Sequence, residues 1–245
     1  MILHDLHLHT QYSDGRNSVA DMIHAAVAVG LKWIGFTDHY DRVCGRLNRQ
    51  KAEIAQAPHA GRIHILRSAE VRIMPDGVLP ITDEVAATLD YILLEPNMPA
   101  LRQVRGGKRK QISAGINMLL RSAQRQHGAI YAHPFNFGRL CENIAPRDLD
   151  RKHIRELAQA FAAHDHIFEI MNNIWYWYPM MPPERFFEEY MEIIAIFAEA
   201  GVKFSLGSDA HSLCGVGNLG WSLKMVRACG VATQVIRPEI FCRAI

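Results

Sequence analysis

Residues 2–8, Ile2-Leu3-His4-Asp5-Leu6-His7-Leu8, followed by His9, read as a short buried β-strand that ends in a pair of imidazoles. The pattern returns along the chain. Further β-rich runs stand at Lys32–Phe36, Arg62–Leu66, Tyr91–Leu94, Ala129–Ala132, Ile167–Met171 and Val202–Leu206. Helical stretches lie between them at Ser18–Val29, Ile112–Gln126, Arg147–Ala163 and Pro183–Ala200. Asn17 or Ser18 caps the first of these, with Asp21 in its first turn and Gly30 closing it. Pro182-Pro183 opens the last, and Gly201 follows its end. Strands that alternate with helices predict an α/β fold with a parallel sheet and crossover helices. Both an open doubly wound sheet and a closed barrel fit that alternation.

The 245 residues match the ~250 typical of a single barrel of strands and helices. No linker, internal repeat or low-complexity segment divides the chain, so one domain over residues 1–245 is expected. At 49% hydrophobic and 21% charged residues, disorder is excluded as the main state. The net charge of +2 argues against a dedicated nucleic-acid or membrane-surface protein. The five cysteines form no C-x-x-C pair and their number is odd, which argues against a disulfide framework. A reducing, cytoplasmic setting is therefore expected. The N-terminus lacks the pattern of a signal peptide, and the apolar stretches at Ala25–Gly35 and Ile193–Gly201 are too short to span a bilayer.

Chemistry collects at the strand ends. The first run ends in His7-Leu8-His9 and the second in Thr37-Asp38-His39; Glu70 follows the third, Glu95 and Asn97 the fourth. The fifth ends in Ala132-His133-Pro134, the sixth contains Glu169 and runs into Asn172-Asn173, and the seventh ends in Gly207-Ser208-Asp209-Ala210-His211. Carboxyl ends of parallel strands are where such folds build their sites. Residues i and i+2 on a strand share a face, so His7 and His9 can share one ion, and Asp209 and His211 repeat the spacing. Imidazoles with carboxylates and no thiolate suit Zn²⁺, Mn²⁺ or Fe²⁺. Eight candidates (His7, His9, Asp14, His39, Glu70, His133, Asp209 and His211) are too many for one ion and predict two to three, with Glu70 suited to bridge. Asp5 is expected to orient His7, whereas His4, His24, His59, His64, His127, His153, His164 and His166 read as structural or surface residues.

His7-x-His9-x-x-x-Ser13-Asp14-Gly15, Thr37-Asp38-His39, Glu70, Ala132-His133-Pro134 and Gly207-Ser208-Asp209-Ala210-His211 resemble, in order, the motifs of the PHP (polymerase and histidinol phosphatase) superfamily. The resemblance runs from residue 4 to about residue 220. It implies a distorted (β/α)7 TIM-like barrel with a trinuclear zinc, manganese or iron site, and phosphoester hydrolysis as the commonest activity. By motif position His7, His9 and Asp209 hold the first metal with Glu70 bridging, His133 holds the second, and Asp14, His39 and His211 the third. Glu169-x-x-Asn172-Asn173 resembles the family segment whose side chains line the pocket. Asn97 departs from the pattern, because relatives usually carry a His a few residues past the fourth strand. Either the second metal lacks a ligand or Glu95 supplies one.

The reading that follows is a metal-dependent phosphoesterase for a small phosphorylated metabolite or nucleotide, with Glu70, Asp14 and Asp209 as catalytic residues. No G-x-S-x-G or P-loop supplies another nucleophile or phosphate cradle. Arg139 and Asn172 are expected to contact substrate. The basic stretch Arg102–Lys110, with Gly106-Gly107 as a hinge, is either a solvated loop or a clamp for an anionic substrate. Trp175-Tyr176-Trp177-Tyr178 forms a pocket wall or a subunit interface, the latter allowing a homo-oligomer. No stable nucleic-acid complex and no membrane contact are expected. The rival readings are a non-catalytic or impaired metal-binding module of the PHP type, an amidohydrolase-type barrel and a polymerase proofreading domain.

Overall fold

In the computed structural model, which describes residues 3–242 apart from 59 and 142, the β-rich runs become eight strand segments. They are β1 (His4–Leu8), β2 (Trp33–Phe36), β3 (His64–Arg67), β4 (Glu70–Arg72), β5 (Leu93–Glu95), β6 (Ile130–Tyr131), β7 (Ile167–Met171) and β8 (Lys203–Gly207). Ile2, where the first strand is expected to start, and His59 lie outside the described residues. Every ladder is parallel: β1-β2-β3 make one sheet and β4-β5-β6-β7-β8 a second. The fold is thus α/β.

The two sheets meet along both pairs of edges. On one side the chain leaves β3 for β4 through Ser68-Ala69: Ser68 N donates to Phe36 O (2.9 Å) and Leu93 N to Ala69 O (3.2 Å). The expected third strand, Arg62–Leu66, is shifted to His64–Arg67, and β4 is absent from the sequence reading. Its three residues, two of them charged, carry no apolar run. On the other side Leu8 pairs in parallel with Ala210, and His9 N donates to Ala210 O (2.9 Å).

The helices follow their caps. Ser18, not Asn17, caps Val19–Ala28: Asp21 N donates to its Oγ (3.2 Å), and Ser18 N donates back to the Asp21 carboxylate (3.3 Å). The next long helix starts at Lys108 rather than Ile112, and Arg151–Ala163 starts after Arg147 because Asp150 accepts from Lys152 N (2.9 Å). Leu47–Gln56 and Gly220–Ala228 are helices that the sequence reading lacks. Among the described residues no helix is long and apolar enough to cross a membrane.

Most buried side chains pack between helices and sheets, where each large one stabilises by roughly 1.5–3 kcal/mol. A second cluster, including Leu6, Trp33, Leu66, Leu93 and Ile130, packs around Tyr91. The Tyr91 hydroxyl donates to Leu6 O (2.6 Å), so this side chain links β5's approach to β1. Gly35 makes room for it, since a Cβ there would stand 1.9 Å from the Tyr91 hydroxyl.

His166 is a buried structural histidine, as expected. Its Nδ1 accepts from Ala129 N (3.2 Å) and its Nε2 faces Ala123 O (3.0 Å), the pattern of a neutral ring. Burial, with His164 and His127 nearby, lowers its pKa below the ordinary 6.5. The unfolded chain then takes up a proton below about pH 6.5 that the folded chain refuses. The stabilising contribution is present above that pH and lost as pH falls through the folded value. His166→Gln should be the less stable protein at pH 8 and show a shallower loss of urea midpoint between pH 8 and 5.5. Parallel curves for the two proteins would refute this.

Candidate metal centre

Parallel strands deliver the polar residues to one cleft. His7 and His9 end β1, His39 follows β2, and Glu70 stands where the chain passes from β3 to β4. Glu95 ends β5, His133 follows β6, and Asp209 and His211 follow β8. His7 Nε2 lies 3.1 Å from His9 Nε2, 3.3 Å from Asp209 Oδ1 and 3.6 Å from Glu70 Oε1. Glu70 Oε1 is 3.2 Å from His133 Nε2, and its Oε2 is 3.0 Å from His39 Nδ1 and 3.5 Å from His9 Nε2. Toward the rim, Asp14 lies 3.4 Å from His39 and 3.3 Å from His211.

These side chains fall into four overlapping groups with the spacing of metal ligands. They are His9–Asp14–His39–His211, His7–His133–Asp209, His7–His9–Glu70 and His39–Glu70–Glu95. All eight candidates from the sequence stand in them, joined by Glu95. The residues fit a cation. Glu70 Oε1, Glu95 Oε1 and His39 Nδ1 are buried without a hydrogen bond among the described residues. An unpaired buried carboxylate is costly unless positive charge faces it. Imidazole and carboxylate donors without thiolate suit zinc, manganese or iron.

The electrostatics agree. Burial opposes the charge of Glu70, but the neighbouring His7, His133 and His39 rings hold its pKa well below the usual range. Burial also opposes protonation of His39, yet Asp14 and Glu70 raise it to about 10. Glu95 is pushed up to about 7 by burial and by Glu70. In effect, protons stand where divalent ions would balance the carboxylates.

Glu169 organises the centre from behind. Its Oε1 lies 2.7 Å from His7 Nδ1, and its Oε2 accepts from His133 N (2.8 Å). One carboxylate thus sets the positions of histidines on two strands. Gly207 leaves it room, because a Cβ there would meet Glu169 Oε1 at 2.0 Å and His7 Cβ at 2.7 Å. His133 (φ +31°) and Asp209 (φ +55°) have positive-φ backbones, a conformation costing roughly 1–3 kcal/mol outside glycine. Asp38 anchors the loop that carries Asp14, accepting from Thr10 N (2.8 Å), Ser13 Oγ (2.6 Å) and Gln50 Nε2 (2.5 Å).

Several residues singled out in the sequence have these partners. Asp5 meets His7 through its main chain and not its ring: the carboxylate accepts from His7 N (3.5 Å), and also from Ser208 N (2.9 Å), Ser208 Oγ (2.6 Å) and Gly217 N (2.9 Å), pinning the loop after β8. Asn97 is not turned to an ion: its Oδ1 accepts from Ala100 N (3.1 Å) and caps the helix Met98–Arg102. Asn172 caps too, its Oδ1 accepting from Trp221 N (2.9 Å) at the start of Gly220–Ala228. Of the basic stretch, Arg102 alone lines the cleft. Lys108 opens a helix and pairs with Asp148 (2.9 Å).

Arg139 does line the cleft, which measures about 290 Å³. Its guanidinium stacks 4.9 Å above the Trp177 ring, and Trp177 meets the His133 ring edge-on at 5.0 Å. Trp177 is therefore pocket wall. Tyr178, by contrast, is buried and donates to Phe135 O.

A family model described as the PHP domain matches residues 5–211. The chain is 30% identical over 163 residues to the DNA polymerase/3'-5' exonuclease PolX of Bacillus subtilis (strain 168), 63% of this chain but 27% of that protein. It thus spans about a quarter of that relative. It is 25% identical to a probable phosphatase of Thermoanaerobacter sp. (strain X514), over 95% of this chain and 88% of the relative. Among solved structures, histidinol phosphate phosphatase from Lactococcus lactis, complexed with zinc, L-histidinol and phosphate, aligns with a TM-score of 0.64 at 14% identity over 93% of each chain. A Listeria monocytogenes protein assigned as a histidinol phosphatase aligns with a TM-score of 0.68 at 14% identity, over 90% of this chain and 99% of that one. At such identity these two establish the shared fold.

Two predictions follow from the geometry. Glu169→Gln should keep the fold but weaken metal retention about 10–100-fold, as expected for a residue that orients ligands. Competition with a chelator reads this, and unchanged retention would remove Glu169 from the centre. Asn97→Ala should cost about 1 kcal/mol through loss of the cap while leaving metal content unchanged. Glu95→Gln should lower metal content with little loss of fold. The reverse outcome, in paired denaturation and elemental analysis, would restore Asn97 as the ligand.

Proposed function

The chain belongs to the PHP domain family, and from that premise we propose a metal-dependent phosphoesterase that hydrolyses a small phosphorylated metabolite or a nucleotide. The observation that carries the reading is the overlap of four ligand groups in one cleft, two of them sharing Glu70. The likeness to a probable phosphatase over 88% of that protein's length supports it. In this reading the two sheets form a distorted (β/α)7 barrel, with β3 and β4 as one bent strand position, and residues 1–245 are one domain.

Two to three divalent ions, drawn from zinc, manganese and iron, would be held in the cleft. His7, His9 and Asp209 would hold one, His133 a second, and Asp14, His39 and His211, with His9 beside them, a third. Glu70 would serve more than one of them, and Glu95 takes the position for which relatives use a histidine. Such ions would supply Lewis acidity toward phosphoryl oxygens and hydroxide at neutral pH.

The chain's own residues prepare this chemistry. Glu169 accepts from His7 Nδ1–H, which directs the Nε2 lone pair into the cleft. Arg42 and Arg72 stand beside Asp14 (3.8 Å) and Glu95 (3.2 Å), where they face the phosphoryl group. Among the candidate metal ligands Asp14 and His211 are the most exposed, at 33% and 38%, and the leaving oxygen gains its proton at this rim. Arg139 contacts the remainder of the substrate.

Elemental analysis of metal-supplemented protein should find at least two ions per chain; one or none would exclude the multinuclear site. His7→Ala, Glu70→Ala and Asp209→Ala should each lower phosphoester turnover by more than about a hundredfold, the upper end for residues that only support ligands. Circular dichroism should remain that of the wild type. Turnover surviving in Glu70→Ala would end its role as a bridge, and unfolding of all three variants would mark the cluster as structural.

A further inference from the structure

The cleft carries more cationic charge than a single phosphoryl group requires. Arg42, Arg72, Arg102 and Arg139 all line it. Two are already committed: Arg42 to Asp14, and Arg72 to Asp41 (3.5 Å) and Glu95 (3.2 Å). Both sit directly against the ligand carboxylates. Arg102 and Arg139 differ, for among the described residues neither has an acidic group within ion-pair distance.

Both are exposed side chains of the cleft, and each has a contact that orients it. The Arg139 guanidinium carbon stands over the Trp177 ring, 4.9 Å from its centre, a cation–π contact that does not use up its N–H donors. Arg102 Nη2 donates to the main-chain oxygen of Arg139 (3.1 Å), tying one arginine to the other. Trp177 also touches the His133 ring at 5.0 Å, so the pair is one aromatic ring removed from the metal ligands. The Trp177 ring thus stands between Arg139 and His133, and the two guanidinium groups that line this part of the cleft present planar forks that suit a carboxylate or a phosphate.

We propose that Arg102 and Arg139, ordered by Trp177, form a second anion subsite, and that the substrate is a phosphoester bearing a further carboxylate or phosphate on its alcohol portion. This rests on the phosphoesterase reading above and narrows it. An alcohol carrying a cationic amine, such as the L-histidinol of the Lactococcus structure, would meet like charge at this end of the cleft.

The test uses zinc-supplemented protein and ligands that cannot be hydrolysed. By calorimetry, 4-phosphonobutyrate should bind at least about tenfold more tightly than butylphosphonate, the gain expected of one charge-assisted contact. Arg139→Ala and Arg102→Ala should each remove most of that preference, and Arg139→Lys should restore part of it. Equal binding of the two ligands by the wild type, or an unchanged preference in Arg139→Ala, would overturn the subsite. Kinetics supply the second arm: the kcat/KM ratio of 3-phosphoglycerate to glycerol 3-phosphate should exceed about ten in the wild type and fall toward one in Arg139→Ala. A ratio near one in the wild type also overturns it. A binding preference that depends on Arg139, in a protein that turns over no phosphoester, would keep the subsite and reject the phosphoesterase reading instead.

Discussion

The structure depends on a buried carboxylate. Glu70 is 2% exposed, yet both of its oxygens face imidazoles, from His133 and His7 on one side and His39 and His9 on the other. A carboxylate so far from water must have positive charge about it or lose its own. Everything near it supplies that charge or holds what supplies it. The histidines come from β1 and from the loops after β2 and β6, and they arrive together only because the parallel strands point the same way. Glu70 itself lies at the passage from β3 to β4, where the chain changes sheets, so the joint in the architecture and the centre of the chemistry coincide.

Much of this was legible before the structure. Imidazole pairs two residues apart at the ends of β-rich runs define both the strand direction and the shared face, and these are local properties. The eight ligand candidates do stand together in the cleft. What escaped was non-local or too short. β4 spans three residues and has no periodicity to detect. Glu169 meets His7 across 162 positions of sequence, a distance over which no spacing rule operates. Asn97 stands out in the sequence as a departure from the motif, and its capping role is local, since it directly precedes a helix; Asn172 meets Trp221 N across 49 positions, beyond any spacing rule. For Asn97 the following Met98-Pro99 carried that signal.

The cleft also separates two tasks. Around Glu70 the arginines are paired with carboxylates and the histidines with each other's partners, so charge there is balanced within a few ångströms. Beyond Trp177, Arg102 and Arg139 have no acidic partner within ion-pair distance among the described residues. In the proposed subsite, reactivity and selectivity fall to different residues, with an aromatic ring between them.

The double engagement of Glu169 has a consequence for how the protein can change over generations. With one oxygen on the His7 ring and the other on the His133 main chain, and with Gly207 packed against it, this side chain cannot be shortened, moved or crowded at one strand without disturbing the other. Substitutions at these three positions are therefore pleiotropic, and single steps away from them lead downhill. The rim beyond Trp177 bears no such linkage. Descendants of this chain can explore new substrates there by ordinary drift, while the centre is inherited as a block.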